Sequence, residues 1–298
     1  MTEISPHLWF DDQAEEAANL YTSIFEVSQM GASTKYVADT PSHKPKGSVM
    51  SIGFDLAGIH FVALNGGPEF SFNPSISFLV RCNIIHEVDV LWEALSDGGK
   101  VLMPLASYPF SERFGWVEDK FGVSWQVNYI GPQDISQKII PKLMFTGKQC
   151  GRAEEAMNFY TRIFKNGKIG TIDRYGSDAA PDTEGQIQHG EFIIEGQEFA
   201  IMDSAHPHDF SFNEAISLIK RCRTQPEIDF YWEQLSADPS AEQCGWLRDK
   251  FGVSWQIVPF EVQKLLNDPD PFKAERVMSA ILAMKKIDVE ALYEAYDA

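Results

Sequence analysis

The stretch DKFGVSWQ, Asp119–Gln126, returns letter for letter as Asp249–Gln256. The likeness spreads outward from it. FSFNPSISFLVRC (Phe70–Cys82) is answered by FSFNEAISLIKRC (Phe210–Cys222), and AEEAANLYTSIF (Ala14–Phe25) by AEEAMNFYTRIF (Ala153–Phe164). The order is kept at an offset of about 130–140 positions, so the chain is a tandem duplication. That period far exceeds the roughly 20–50 residues of solenoid repeats, which makes each copy domain-sized. The copies run over 1–130 and 139–260, joined by the polar, turn-forming GPQDISQK (Gly131–Lys138), and 261–298 forms a separate tail.

Within the octapeptide, Asp119 and Gly122 suit the first and last positions of a type I turn, and VSWQV is the strand that leaves it. Val123, Trp125 and Val127 then face one way and Ser124, Gln126 and Asn128 the other. Turn chemistry accounts for Asp119 and Asp249 without a catalytic role. Upstream, PHLWF (Pro6–Phe10) reads as a strand with His7 and Trp9 opposite Leu8 and Phe10. Ala14, Ala17, Ala18, Tyr21, Ile24 and Phe25 follow at helical spacing, with Asp11 and Asp12 as N-cap candidates. Met50, Ile52, Phe54 and Leu56 alternate with polar or small residues, and GIHFVAL follows across a turn at Ala57–Gly58, which predicts a hairpin. SISFLVRC, a helix through Ile85, Val88, Leu91, Trp92 and Leu95, and strands at GGKVLMPL, FGWVEDK and GVSWQVNY repeat the theme. One copy is therefore β-α-β-β(-β) written twice. Helices cover the apolar face of the sheet, and the opposite, partly polar face suggests a ligand cup.

At 298 residues and 44% hydrophobic content the chain can bury two ordinary cores. Its 43 acidic against 25 basic residues, for a net charge of −18, form a surface that repels phosphate backbones and anionic lipid, so neither nucleic acid nor membrane is expected as a partner. No apolar run approaches a membrane span and MTEISPHLWF lacks the features of a signal peptide, which points to the cytoplasm. Cys82, Cys150, Cys222 and Cys244 contain no C-x-x-C spacing and read as reduced, partly buried thiols.

PHLWF, A-E-E-A-x-x-x-Y-x-x-I-F, the F-S-F-N step and G-W-x-x-D-K-F-G-V-S-W-Q together resemble the PhnB-like branch of the vicinal oxygen chelate superfamily, which includes glyoxalase I and bleomycin-resistance proteins. The resemblance covers nearly the whole chain. It implies an α+β fold of two tandem domains, each of paired βαβββ modules forming a curved mixed sheet with helices on the outer face and a small-molecule cup within. Relatives in this branch are often labelled 3-demethylubiquinone 3-methyltransferase, but the sequence carries no glycine-rich strand–turn–helix suited to an adenosyl cofactor.

In metal-using members a divalent ion is held by a His on the first strand, a His or similar group on the fifth and a Glu on the last. By that resemblance the first position falls on His7 and, in copy two, Lys142. The fifth-strand position falls near Ser75 or Ser77 and near Ala215 or Ser217, and the last on Gln126 and Gln256. Serine, amide and ammonium replace the donors on which divalent sites depend, so no cofactor is expected. The leading expectation is a metal-independent small-molecule-binding protein with its cup in copy one, lined by His7, Trp9, Ser77, Ser124, Gln126 and Asn128. Lys142, Ser217, Ser254 and Gln256 are the weaker equivalents in copy two. A metal-dependent glyoxalase or dioxygenase-type enzyme, with His7 as the surviving ligand, and a protein-interaction scaffold are the alternatives.

His60 and Glu198 are equivalents that face the cup or solvent, while Trp125 and Trp255 read as core. Copy two lacks the counterpart of GGKVLMPLAS, which makes it a packing partner for copy one, and a homodimer is a further option. In the tail, Ala274, Val277, Ile281 and Met284 share a helical face and Asp288 can cap a second helix carrying Leu292 and Tyr293, a pattern read as a structural clasp.

Overall fold

The computed structural model of the chain describes residues 3–37 and 44–298. The first copy consists of β1 (Ile4–Phe10), α1 (Ala14–Ile24), β2 (Gln29–Lys35), β3 (Val49–Leu56) and β4 (Ile59–Asn65), then β5 (Ile76–Cys82), α2 (Ile85–Ser96), β6 (Lys100–Tyr108), β7 (Ser111–Glu118) and β8 (Ser124–Tyr129). The second consists of β9 (Ile139–Phe145), α3 (Ala153–Ile163), β10 (Lys168–Arg174), β11 (Ile187–Ile194) and β12 (Gln197–Asp203), then β13 (Ile216–Cys222), α4 (Gln225–Leu235), β14 (Trp246–Arg248) and β15 (Ser254–Pro259). The tail forms α5 (Val262–Leu266), α6 (Pro271–Ala283) and α7 (Val289–Asp297). No described helix is long and apolar enough to cross a membrane.

The sheets are composed across the copies. Sheet A, seven-stranded, runs β14-β15-β13-β1-β4-β3-β2, and sheet B, eight-stranded, runs β10-β11-β12-β9-β5-β8-β7-β6. The seam in sheet A is antiparallel β1–β13, with His7 opposite Ser217; in sheet B it is β5–β9, with Ser77 opposite Lys142. Each copy gives its strand edges to the other and keeps its own two modules together through side chains. Phe61 of sheet A meets Phe78 of sheet B at 5.1 Å between ring centroids, and Phe78 meets Trp125 at 5.2 Å. An open strand edge is an unpaired row of N–H and C=O groups, and the exchange removes one from each module.

The repeated motifs tie the copies to one another and to their cores. Asn73 donates to the Ser211 carbonyl (3.0 Å) and Asn213 to the Ser71 carbonyl (2.8 Å), so the two FSFN loops clasp reciprocally. Gln197 both accepts from the Ile4 N–H and donates to its carbonyl, at 2.9 Å each. Asp119, 4% exposed, accepts from the N–H groups of Phe121 (2.9 Å) and Val123 (3.0 Å), from Trp125 Nε1 (2.9 Å) and from the Tyr21 hydroxyl (2.6 Å). Asp249 does the same for Phe251, Val253, Trp255 and Tyr160. The octapeptide is thus a turn whose carboxylate anchors both its own strand and the first helix of its copy. Trp125 and Trp255 are fully buried, as core residues.

One strand goes beyond the sequence reading, one capping expectation changes, and the strand that copy two lacks, as expected, is replaced from the tail. QMGASTK forms β2, although every residue but Thr34 is exposed; an edge strand with two wet faces carries no alternation to read. Neither Asp11 nor Asp12 caps α1. Gln13 sits at the N-cap, and the Ala14 N–H is taken by Asn65 Oδ1 from β4 at 2.9 Å, a tertiary partner that local spacing does not reveal. Copy two has no counterpart of β6, and there the tail substitutes: Cys244 and Gly245 donate their N–H groups to the Met284 and Lys285 carbonyls, each at 2.8 Å. Asp288 caps α7 through the Ala291 N–H (3.1 Å).

Candidate functional site

On sheet A the pleat turns Leu8 and Phe10 into the core and His7 and Trp9 to the opposite face. The neighbouring strands complete that face. β4, parallel to β1, places Val62 beside His7 and Leu64 beside Trp9. β13 brings Ser217, and β15 brings Gln256, whose Nε2 donates to Ser217 Oγ at 3.0 Å. Trp246 of β14 stands edge-on to His7, with centroids 5.3 Å apart and planes at 88°, and Trp9 packs edge-on against Phe70 at 5.0 Å. Trp9 is held in place by its own hydrogen bond to the Gly67 carbonyl (2.9 Å). A Cβ at Gly66 would lie 2.2 Å from the Trp9 ring, so this position needs glycine.

Across from the sheet, α5 and α6 lie as a roof, contributing Leu266, Met278 and Leu282. Between sheet and roof is a cavity of about 560 Å³, within the size range of small-molecule sites. Its polar atoms are few. His7 is 5% exposed and its Nδ1 meets no hydrogen-bond partner among the described residues. Burial pulls this imidazole down to about 3, so it is neutral at physiological pH. Arg221 donates to Ser5 Oγ (2.6 Å), and burial lowers its guanidinium to about 10 against the favourable charge of Glu3. Glu214 is paired with Arg248.

Sheet B repeats the geometry with different chemistry. Gln126 Nε2 donates to Ser77 Oγ (2.9 Å), and Lys142 Nζ donates to Gln126 Oε1 (3.4 Å). Burial brings the Lys142 ammonium down to about 8. Arg81, the counterpart of Arg221, is held between Glu191 and Glu198, and Trp116 Nε1 donates to Ser124 Oγ (2.8 Å).

The six residues expected to share one cup in copy one therefore divide. His7 and Trp9 lie on sheet A with Ser217, Ser254 and Gln256, while Ser77, Ser124, Gln126 and Asn128 lie on sheet B with Lys142. The physical reason is the strand exchange: the edge that completes β1 comes from copy two. Copy two is accordingly more than a packing partner, since it supplies Gln256 and Trp246 to the cavity, with Ser217 holding the Gln256 amide from behind. Trp246, Val62, Leu64 and the roof residues were not among the expected lining. The apolar stripe of the tail was visible in the sequence, but nothing local says which sheet it covers. His60, the equivalent of Glu198, is buried and bound to Asp55 Oδ1 through Nδ1 (2.7 Å).

The three positions that the family resemblance maps onto metal ligands converge on each sheet, but as imidazole, hydroxyl and amide on A and as ammonium, hydroxyl and amide on B. Among the described residues no three His, Cys, Asp or Glu side chains cluster as a metal site would require. A neutral amide and a hydroxyl are poor donors for a divalent transition ion, and an ammonium repels one, so the donor sets do not fit.

The neutral, buried His7 makes stability depend on pH. Its folded value lies below the unfolded value near 6.5, so the stabilisation is complete above pH 6.5 and is lost as pH falls from there towards about 3. Each pH unit in that window costs about 1.4 kcal/mol. Between pH 7 and pH 4.5 the parent is expected to lose roughly 2–3 kcal/mol more than His7→Phe in chemical denaturation. Parallel losses in the two proteins would show that His7 does not carry the effect.

Compared with known proteins, the chain matches the family model described as 3-demethylubiquinone-9 3-methyltransferase over residues 2–128 and 137–258. Among solved structures, the PhnB protein from Bacillus cereus is 38% identical over 42% of this chain and 97% of its own, with a TM-score of 0.39. A protein from Staphylococcus aureus is 34% identical over 45% of this chain and 98% of its own, with a TM-score of 0.19. Glyoxalase I from Zea mays, 10% identical, covers 85% of this chain and 92% of its own with a TM-score of 0.51, a likeness of fold alone. No curated protein matches the sequence.

Proposed function

Because the chain belongs to the 3-demethylubiquinone-9 3-methyltransferase family, in the PhnB-type branch of the vicinal oxygen chelate superfamily, we propose that it binds a small molecule, without a divalent metal, in the cavity between sheet A and the C-terminal helices. The observation that carries this reading is the cavity of about 560 Å³ lined by the buried His7, whose Nδ1 has no partner among the described residues. A mostly apolar hollow with a few convergent polar atoms is the usual form of a ligand site. Sheet B supports the assignment by contrast, since Lys142 and the Arg81–Glu191–Glu198 ion pairs occupy the corresponding face. Methyl transfer, which the family description names, would need an adenosyl donor beside the substrate, and the sequence has no glycine-rich loop of the kind that cradles one.

Elemental analysis of the purified protein, combined with thermal melts in Mn²⁺, Zn²⁺, Ni²⁺ and Fe²⁺, tests the metal-free part. A ligand specific for the folded state raises the melting temperature by mass action. Sub-stoichiometric metal and unchanged melts are expected. Near-stoichiometric metal, or a stabilisation lost in His7→Ala, would overturn the proposal in favour of a metal-dependent enzyme.

A further inference from the structure

Sheets A and B carry the same three positions, and the two triads differ in what completes them. In sheet B the Gln126 amide is engaged at both ends by the protein itself, donating to Ser77 Oγ (2.9 Å) and accepting from Lys142 Nζ (3.4 Å). In sheet A, Gln256 donates to Ser217 Oγ in the same way (3.0 Å), but histidine stands where the lysine would be. Among the described residues no ammonium donates to Gln256 Oε1. His7, whose buried Nδ1 has no partner among the described residues, lines the same wall. A buried polar atom is normally hydrogen-bonded, and an imidazole that lines a cavity can turn its unpaired nitrogen to whatever fills it.

The charged side chains of the wall are already engaged. Glu214 is paired with Arg248, which also holds Asp238 at 2.9 Å, while Arg221 donates to Ser5 and lies near Glu3. At His7 and Gln256 an entering ion would exchange its water for neutral polar atoms, an unfavourable transfer. A hydroxyl is the group that both donates and accepts, so it suits Gln256 Oε1 together with either tautomer of His7. The rings of Trp9, Trp246 and Phe70 meet at steep angles, 83° for Trp9–Phe70 and 75° for Trp9–Trp246, and so present edges and faces to a further ring.

We infer that the ligand of this cavity is an uncharged, hydroxyl-bearing molecule with an apolar ring body, its hydroxyl meeting His7 and Gln256 and its ring meeting Trp9, Trp246 and Phe70. The inference rests on the small-molecule reading of the cavity and deepens it to a chemical class.

The test is equilibrium dialysis of the full chain at neutral pH with four probes of one body: naphthalenemethanol, methylnaphthalene, naphthoate and naphthylmethylammonium. The alcohol is expected to bind about 5–10-fold tighter than the hydrocarbon, the worth of one buried hydrogen bond. It should exceed both ions by about 10-fold or more. His7→Phe should erase the gap between alcohol and hydrocarbon while leaving the hydrocarbon bound, and Gln256→Leu gives the same readout if that variant fails to fold. His7→Lys, which imitates sheet B, should weaken the alcohol. Tightest binding by either ion, or an alcohol preference that survives both His7→Phe and Gln256→Leu, overturns the inference and leaves the cavity as a binding site of another class. Binding by none of the four probes, or binding indifferent to Val62→Trp on the cavity floor, removes the small-molecule reading itself.

Discussion

Expressed alone, residues 1–131 should form a dimer, not a folded monomer. In the intact chain β1 pairs with β13 from Ile4 opposite Lys220 to Leu8 opposite Ile216, and β5 pairs with β9 from Ile76 opposite Leu143 to Val80 opposite Ile139. The isolated copy loses both partners and exposes two apolar strand edges, which associate readily. A second molecule of the fragment can supply substitutes, because β5 (ISFLVRC) and β13 (ISLIKRC) are near-equivalents, as are β1 (ISPHLWF) and β9 (IIPKLMF). The pseudo-symmetric arrangement then becomes a true two-fold, the usual symmetry of homodimers. Light scattering after size exclusion reads the outcome directly. Co-expression with residues 132–298 should divert the fragment into a one-to-one complex with the spectrum of the intact chain. A stable, cooperatively folding monomer of 1–131 would contradict the exchanged sheets.

Asp119→Ala is expected to be the most damaging single substitution outside the hydrophobic core. It removes the acceptor of four buried or half-buried donors, the Phe121 and Val123 N–H groups, Trp125 Nε1 and the Tyr21 hydroxyl. A buried donor left unsatisfied costs about 1–3 kcal/mol, and even with partial relaxation the sum reaches about 4 kcal/mol. That is a large share of a stability of roughly 5–15 kcal/mol. Asp119→Asn keeps an acceptor for the two N–H groups but turns an amide donor towards the indole, so it should fall between the parent and the alanine variant. Asp249→Ala should cost a similar amount, since Asp249 binds the same four donor types in copy two. Urea denaturation provides the measure; a change below about 1 kcal/mol for Asp119→Ala would refute the role assigned to the carboxylate.

Much of the molecule was legible in its letters. The duplication, the helices at Ala14–Ile24 and Ile85–Ser96, the strands from Val49 to Asn65 and the closing strand after the octapeptide follow from identity and periodicity, because burial of one face leaves its period in the sequence. So does the loss of a strand from copy two. The unsuitability of the His7, Ser217 and Gln256 positions for a divalent ion is a matter of side-chain chemistry, and residue identity suffices to state it.

Which strands share a sheet was decided only by the tertiary structure. β5 and β13 carry the same apolar pattern, so either satisfies the seam of β1, and pattern alone does not choose between them. The same degeneracy hides the cavity. His7 comes from one copy, Gln256 and Trp246 from the other and Met278 from the tail, with sequence separations that no local spacing rule spans. Sequence determined the elements and their faces, because those depend on a residue and its near neighbours. Tertiary structure decided the partners and the site, because those depend on which of two equivalent edges closes on which, and that choice is made by the packing of the whole chain.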